Sequence, residues 1–223
     1  QSEINETTHI EKKELRNFIK GISYPLYFLD FETVGPAVPA YDGSRPYQQL
    51  VFQYSLHVQE NPTSSIEHRE YLADPTEDPR IGFIEQLIHD CGISGDILVY
   101  NIGFERGKLN NLKELFPEYS NELGGIIDRL KDLMIPFQQR WYYTPQMRGS
   151  YSIKAVLPAL VPEFSYNDLE IKEGGSASNT FLSMVNGTFE GDLQETRKQL
   201  LEYCKMDTFA MVKILEAIQK VLE

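Results

Sequence analysis

The sequence predicts an α/β fold with a mixed central sheet, an antiparallel meander followed by strand–helix alternation, flanked by helices. Three observations favour this class. Three stretches rich in aromatic and aliphatic residues follow one another early in the chain with no helical segment between them. Segments with helical periodicity then alternate with a short apolar run. No repeat or long Pro/Gly/Ser linker divides the 223 residues, so we expect a single domain over 1–223.

The first predicted elements are an N-terminal helix within residues 1–21 and the strands of the meander. Thr8 and Glu11 match a capping box at the start of the helix, and Gly21 indicates its end. The apolar and alternating patterns predict the strands at 24–31, 50–58 and 66–72.

The later elements alternate between helices and a central strand. Asp78 and Pro79 are typical of an N-cap and first helical position, and Gly92 indicates the end of that helix. A short apolar run predicts the central strand at 97–100. The remaining predicted segments are helices at 104–115 and 126–134, an irregular stretch at 136–182 with a Gly174-Gly175 turn, and a closing helix at 192–222.

Composition narrows the possible classes of protein. The net charge of −12 argues against a protein that coats nucleic acid through bulk electrostatics. It leaves a nuclease open, because metal-binding carboxylates are themselves acidic. Cys91 and Cys204 have no metal-binding spacing, which excludes a zinc finger and indicates reduced, cytoplasmic thiols. No apolar run approaches the ~18 residues of a membrane span, so we expect no membrane partner. A start at Gln1 suggests a segment of a longer protein.

Two carboxylates share one face of the first predicted strand. Asp30 and Glu32 lie two residues apart, so both side chains emerge on the face of Phe28. A carboxylate pair beside a hydrophobic core is unfavourable unless it meets a cation or reaches solvent. The pair therefore indicates either a cation site or a strand end that reaches solvent.

A third carboxylate interrupts the apolar stripe of the closing helix. Asp207 lies in the middle of that stripe, and Tyr203 lies one turn before it on the same side. A buried aspartate needs a partner. An arginine would satisfy it, and so would a divalent cation shared with Asp30 and Glu32, for which oxygen ligands suit magnesium or manganese.

Three short blocks, taken in order, resemble the motifs of the DEDD superfamily, the DnaQ-like 3′–5′ exonucleases with a ribonuclease-H-like fold. The blocks are Asp30-Phe31-Glu32-Thr33, Asn101-x-x-Phe104-Glu105 and Tyr203-x-x-x-Asp207, and the last is similar to the tyrosine branch. Alone, Glu105 is also explained by the preference of helix starts for acidic residues. Residues 137–162 are similar to an uncharacterised bacterial domain family of this fold, often fused to RecB-like nuclease regions.

The resemblance implies hydrolysis of phosphodiester bonds in DNA or RNA by a two-metal mechanism. The residues that would hold two divalent cations, Mg²⁺ or Mn²⁺, are Asp30, Glu32, Glu105 and Asp207. Asp30 would bridge both cations, and Glu105, where the superfamily normally has aspartate, would bind the second cation directly or through water. Tyr203 would orient or help deprotonate the attacking water. The motif residues that would contact substrate are Thr33, Asn101 and Phe104.

A stretch without acidic residues offers a surface for nucleic acid. Residues 133–162 contain no Asp or Glu, and cations alternate with aromatic residues there. Cations for phosphates and aromatic faces for unstacked bases suit single-stranded ends. The residues predicted to bind substrate in this stretch are Arg140, Tyr142, Arg148 and Lys154. A hydrophobic loop packed on the domain is the alternative.

The leading hypothesis is therefore a metal-dependent 3′–5′ exonuclease, with other functions left open. A catalytically weak or inactive nucleic-acid-binding module of a larger nuclease or helicase protein is the first alternative, because Glu105 departs from the motif. A structural or regulatory domain is the second. A glycosidase is disfavoured, because two carboxylates on one strand face are too close together to flank a sugar.

Overall fold

The computed structural model describes residues 7–164, 170–171 and 173–223. Within these ranges the chain is an α/β protein with a mixed five-stranded sheet. The strands of this sheet are β2 (Leu26–Val34), β3 (Leu50–Gln59), β4 (Ile66–Leu72), β5 (Asp96–Val99) and β6 (Leu130–Asp132), and their order across the sheet is β4-β3-β2-β5-β6. A small second sheet pairs β1 (His9–Ile10) with β7 (Tyr142–Tyr143).

The predicted change of strand direction is confirmed. β2, β3 and β4 form an antiparallel meander, and β5 and β6 then add parallel to β2. The helices are α1 (Lys12–Lys20), α2 (Pro79–Cys91), α3 (Ile102–Leu115), α4 (Ser120–Asp128), α5 (Ile135–Gln138), α6 (Ile153–Leu160), α7 (Gly174–Val185) and α8 (Leu193–Lys220). In the described part of the chain, none of them combines the length and the apolar character needed to cross a membrane.

Alternation along β2 divides the core between the two faces of the sheet. Tyr27, Leu29 and Phe31 pack in one cluster with residues of α2, α3 and α4. Leu26 and Phe28 pack in another with residues of α6 and α8. Because side chains alternate along a strand, Asp30 and Glu32 lie on the α8 side, as the sequence predicts.

The N-terminal helix begins later than the capping box at Thr8 and Glu11 predicts, so its predicted start is wrong. Residues 1–6 lie outside the described residues. His9 and Ile10 pair with β7, and the amide of Glu11 donates to the carbonyl of Trp141 at 2.7 Å. These bonds hold the backbone extended, so α1 begins at Lys12 and no capping box forms.

The helix predicted at 126–134 is also wrong. α4 ends at Asp128, and β6 follows at once. Ile97 of β5 pairs with Leu130 and Val99 pairs with Asp132. The backbone is extended here because the edge of β5 offers hydrogen bonds that a continued helix would leave unpaired.

The described parts of 136–182 are more regular than predicted. α6 (Ile153–Leu160) lies in this stretch and is helical although it contains Pro158. Gly174 and Gly175, predicted as a turn, form the first turn of α7. Tertiary packing explains both helices, because Val156 of α6 and Phe181 of α7 are fully buried.

Candidate metal centre

Three carboxylates from distant parts of the sequence converge on one side of the sheet. Oxygen atoms of Asp30, Glu32 and Asp207 all lie within 4.8 Å of one another. Glu32 is 8% exposed and Asp207 is 9% exposed. Asp30 and Glu32 reach the group through the alternation of β2, and Asp207 reaches it from α8.

The stripe of α8 explains why Asp207 faces the sheet. Tyr203, Asp207 and Met211 recur every four residues on one side of the helix, which covers β2. Cys204 packs on the same side, with its Sγ 3.7 Å from the carbonyl oxygen of Asp30. An apolar surrounding therefore encloses the acidic group from the helix side.

The electrostatics of the metal-free group are unfavourable. Burial raises the pKa of Asp30 well above its usual range, and the charges of Asp207, Glu32 and Glu105 raise it further. Burial and then the charge of Asp207 raise the pKa of Glu32 to about 8, while Lys154 acts in the opposite direction. A divalent cation would remove this repulsion, and an all-oxygen donor set suits Mg²⁺ or Mn²⁺.

Glu105 lies beside this group but outside the set of three. It sits in the first turn of α3, is 1% exposed, and raises the pKa of Asp30. Burial and the charge of Asp132 raise the pKa of Glu105 to about 8. Among the described residues its Oε2 atom has no hydrogen-bond partner. A buried carboxylate oxygen without a hydrogen-bond partner suits a cation or a water molecule, separate from a cation held by the other three carboxylates.

Asp132 fixes the start of α3 and was missed from the sequence. Its Oδ1 accepts from the amides of Asn101 and Met134 at 3.0 and 2.9 Å, and its Oδ2 accepts from the amide of Ile102 at 3.0 Å. These bonds hold the turn in which Asn101 has a φ of 82°. They therefore fix the position of Glu105, in the first turn of α3, relative to the other carboxylates. A three-residue strand carries too little periodicity to reveal such a position.

A cleft of about 270 Å³ opens onto the acidic group. Six of the predicted site residues line it, namely Asp30, Glu32, Phe104, Lys154, Tyr203 and Asp207. The side chains of Tyr203 and Asp207 hydrogen-bond each other. Burial and the neighbouring carboxylates strongly raise the pKa of the Tyr203 phenol, so it carries its proton at neutral pH.

Five predicted substrate-binding residues do not line this cleft. Thr33 is buried in β2 just after a β-bulge, and Asn101 is exposed before α3. Arg140 and Arg148 are exposed and have left-handed φ values. Tyr142 is half-buried in β7, with its ring centroid 6.2 Å from that of Phe137.

The start of α7 forms another boundary of the centre. A Cβ atom at Gly174 would lie 3.4 Å from Oε2 of Glu32 and 3.9 Å from the hydroxyl of Tyr203. These are ordinary van der Waals distances, so the start of α7 lies within contact range of the acidic group.

A buried polar network lies behind the carboxylates. The Oγ1 of Thr208, next to the third carboxylate in α8, is 2.7 Å from Oγ of Ser55 and 2.8 Å from Nδ1 of His57. Ser55 also contacts Nε2 of His68 at 2.9 Å and pairs across the sheet with Asp30. Burial lowers the pKa of His57 to about 3 and that of His68 to about 4, so both are neutral at pH 7. These hydrogen bonds link α8 to β3 and β4 and hold the helix in one rotational position about its own axis.

Comparison with known proteins shows the family of the chain. A family model described as a domain of unknown function, DUF2779, matches residues 27–152. An uncharacterized protein of Mycoplasma pneumoniae is 30% identical over 206 residues, which cover 84% of this chain and 31% of that protein. An uncharacterized protein of Ureaplasma parvum is 27% identical over 227 residues, covering 92% of this chain and 33% of that protein.

The chain spans about a third of the length of the curated relatives it matches. No solved structure matches it. The matched range includes more than half of the chain, which therefore belongs to the DUF2779 family.

Proposed function

We propose that this domain is a metal-dependent 3′–5′ exonuclease with a ribonuclease-H-like fold, acting on DNA or RNA. The observation that carries the proposal is the convergence of a half-buried Asp30 with buried Glu32 and Asp207, with oxygen atoms within 4.8 Å of one another. Buried carboxylates at this distance repel unless a cation joins them. The order of the three sequence motifs along the chain supports the same reaction.

The residues of the chain have distinct roles in this proposal. Asp30, Glu32 and Asp207 would hold a divalent cation, and the unpartnered oxygen of Glu105 would contribute to holding a second. When bound, such cations activate water and stabilise the charge on a phosphate. Tyr203, with its proton retained and its side chain bonded to Asp207, orients the attacking water rather than acting as a base.

The walls of the cleft suit the end of a single strand. Phe104, Ile153 and Met211 line it together with the acidic residues. An aromatic ring provides a face on which an unpaired base stacks without sequence preference. Such a site suits an unpaired strand better than a rigid duplex.

The test is digestion of 5′-labelled single-stranded DNA and RNA with Mn²⁺ or Mg²⁺. We expect a ladder of shortened products that disappears in EDTA and in Asp30→Asn and Asp207→Asn. Glu202→Gln is the matched control, because Glu202 is an exposed carboxylate on the same helix as Asp207. Equal digestion by Asp207→Asn would show that the activity belongs to a contaminant and would refute the proposal.

A nucleic-acid-binding module without turnover is the second candidate, favoured by one observation. Glu105 lies outside the group of three, and burial raises its pKa to about 8, which weakens it as a ligand for a second cation. This function predicts salt-sensitive binding of single strands with no products even at saturating Mn²⁺. Replacing Glu105 with Asp would then restore turnover if only this position limits the reaction.

A further inference from the structure

The acidic cleft contains one cation among the described residues that line it. That residue is Lys154, in the first turn of α6, and it faces the same space as Asp30, Glu32 and Asp207. Its Nζ atom lies 5.8 Å from the centroid of the Tyr203 ring. Three acidic side chains and one lysine therefore share a single opening.

The backbone of Lys154 is fixed relative to the carboxylates. Val156 and Leu157 of α6 are fully buried in the cluster that also contains Met211 of α8. The hydroxyl of Tyr100 donates to the carbonyl of Tyr151 at 2.8 Å, which ties the segment before α6 to the end of β5. The Lys154 side chain itself is exposed, so its flexible stem can place the ammonium group at more than one position.

The charges of the cleft define two partners for this ammonium group. Without metal, the acidic groups that share the cleft with this ammonium group are the side chains of Asp30, Glu32 and Asp207. Divalent cations held by the carboxylates would bring positive charge to that position and repel the lysine. The remaining anion in the cleft is then a phosphate of the substrate, and lysine binds phosphate as a compact point charge.

We propose that Lys154 exchanges partners, compensating the acidic group of Asp30, Glu32 and Asp207 in the metal-free cleft and binding a phosphate of the terminal nucleotide once metal and substrate are present. This inference rests on the proposed function. It assigns to one exposed lysine both protection of the empty site and recognition of the substrate.

The test compares Lys154→Gln and Lys154→Arg with wild type in two assays. The first is calorimetric titration of the nucleic-acid-free protein with Mn²⁺. The second is the salt dependence of the affinity for a single-stranded oligonucleotide, together with kcat/KM. Lys213→Gln is the matched control, because Lys213 lies on α8 and pairs with Glu216 at 2.8 Å instead.

We expect Lys154→Gln to bind Mn²⁺ as tightly as wild type or more tightly, and to lose roughly ten- to hundredfold in kcat/KM. The slope of log affinity against log salt should fall by about 0.7, the value for one phosphate contact on a single strand. Lys154→Arg should retain the slope. Weaker Mn²⁺ binding in Lys154→Gln, or an unchanged slope, would overturn the inference.

The outcomes separate the inference from the proposed function. Active wild type with an unaffected Lys154→Gln refutes the partner exchange alone. Wild type that binds single strands without cleaving them refutes the exonuclease, and the salt slope still decides the role of Lys154. Wild type that neither binds nor cleaves refutes both.

Discussion

Replacing Glu32 with glutamine should make the metal-free protein more stable. The pKa of Glu32 is raised from 4.5 to about 8, first by burial and then by Asp207. A raised folded pKa means that the stability contributed by this group is complete below pH 4.5 and is lost as the pH rises through 8. At pH 7 the folded state must protonate a carboxyl that the unfolded chain leaves ionised. That costs about 2.5 pH units at 1.36 kcal/mol each, or about 3 kcal/mol.

Glutamine has no such penalty, so the variant should gain about 2–3 kcal/mol at pH 7. For a chain of this size that corresponds to a melting temperature higher by roughly 5–10 °C. The assay is thermal unfolding in EDTA between pH 6.5 and 8, with Glu202→Gln as the control. The gap to wild type should widen by about 1.4 kcal/mol per pH unit. In this window His57 and His68 do not contribute, because their lowered pKa values matter only below about pH 6.5.

Saturating Mn²⁺ should reverse the order of stability. Wild type gains by binding the ion in its folded state, whereas the Glu32→Gln variant has lost a ligand and gains less. A variant as stable as wild type or less stable in EDTA at pH 8 would refute the claim that repulsion and burial destabilise this centre.

Three further changes test the supporting structure. Thr208→Val removes the hydroxyl that contacts Ser55 and His57 and should lower the free energy of unfolding, measured in urea, by about 1–3 kcal/mol. The same variant should bind Mn²⁺ more weakly in calorimetry. Thr208→Ser keeps the hydroxyl and should retain both the stability and the Mn²⁺ affinity. The folded pKa of His57 is lowered to about 3, so the stability that its neutral ring contributes is lost as the pH falls below 6.5. In an acid denaturation series, the stability gap between wild type and His57→Gln should therefore shrink by up to about 1.4 kcal/mol per pH unit. Gly95→Ala should prevent folding, visible as lost circular dichroism, because Gly95 has a φ of 82° and its Cβ would lie 1.9 Å from the carbonyl oxygen of Pro25; a cooperative transition near the wild-type temperature would contradict this.

The acidic centre could be predicted from the sequence where periodicity determines the side-chain direction. The two-residue repeat of β2 put Asp30 and Glu32 on one face, and the stripe of α8 put Asp207 among buried residues. That these positions meet is a tertiary property, and only the order of the motifs indicated it.

Other parts could not be predicted because local pattern and tertiary contact disagree. Asp132 ends a strand of three residues, too short for a period, and its role depends on amides of a distant turn. Gly174 lies at the start of a helix because α7 packs through Phe181 on the end of the sheet. Pro158 is tolerated near the end of α6 for a similar reason. Arg140 and Arg148 carried the right charge for nucleic acid but lie outside the cleft.

The most direct test of the central claim is an anomalous diffraction measurement at the manganese edge on crystals soaked in Mn²⁺. We expect a peak between the carboxylates of Asp30, Glu32 and Asp207 in wild type, and none there in Asp207→Asn. Crystals saturated with Mn²⁺ that show no peak at these three carboxylates would contradict it.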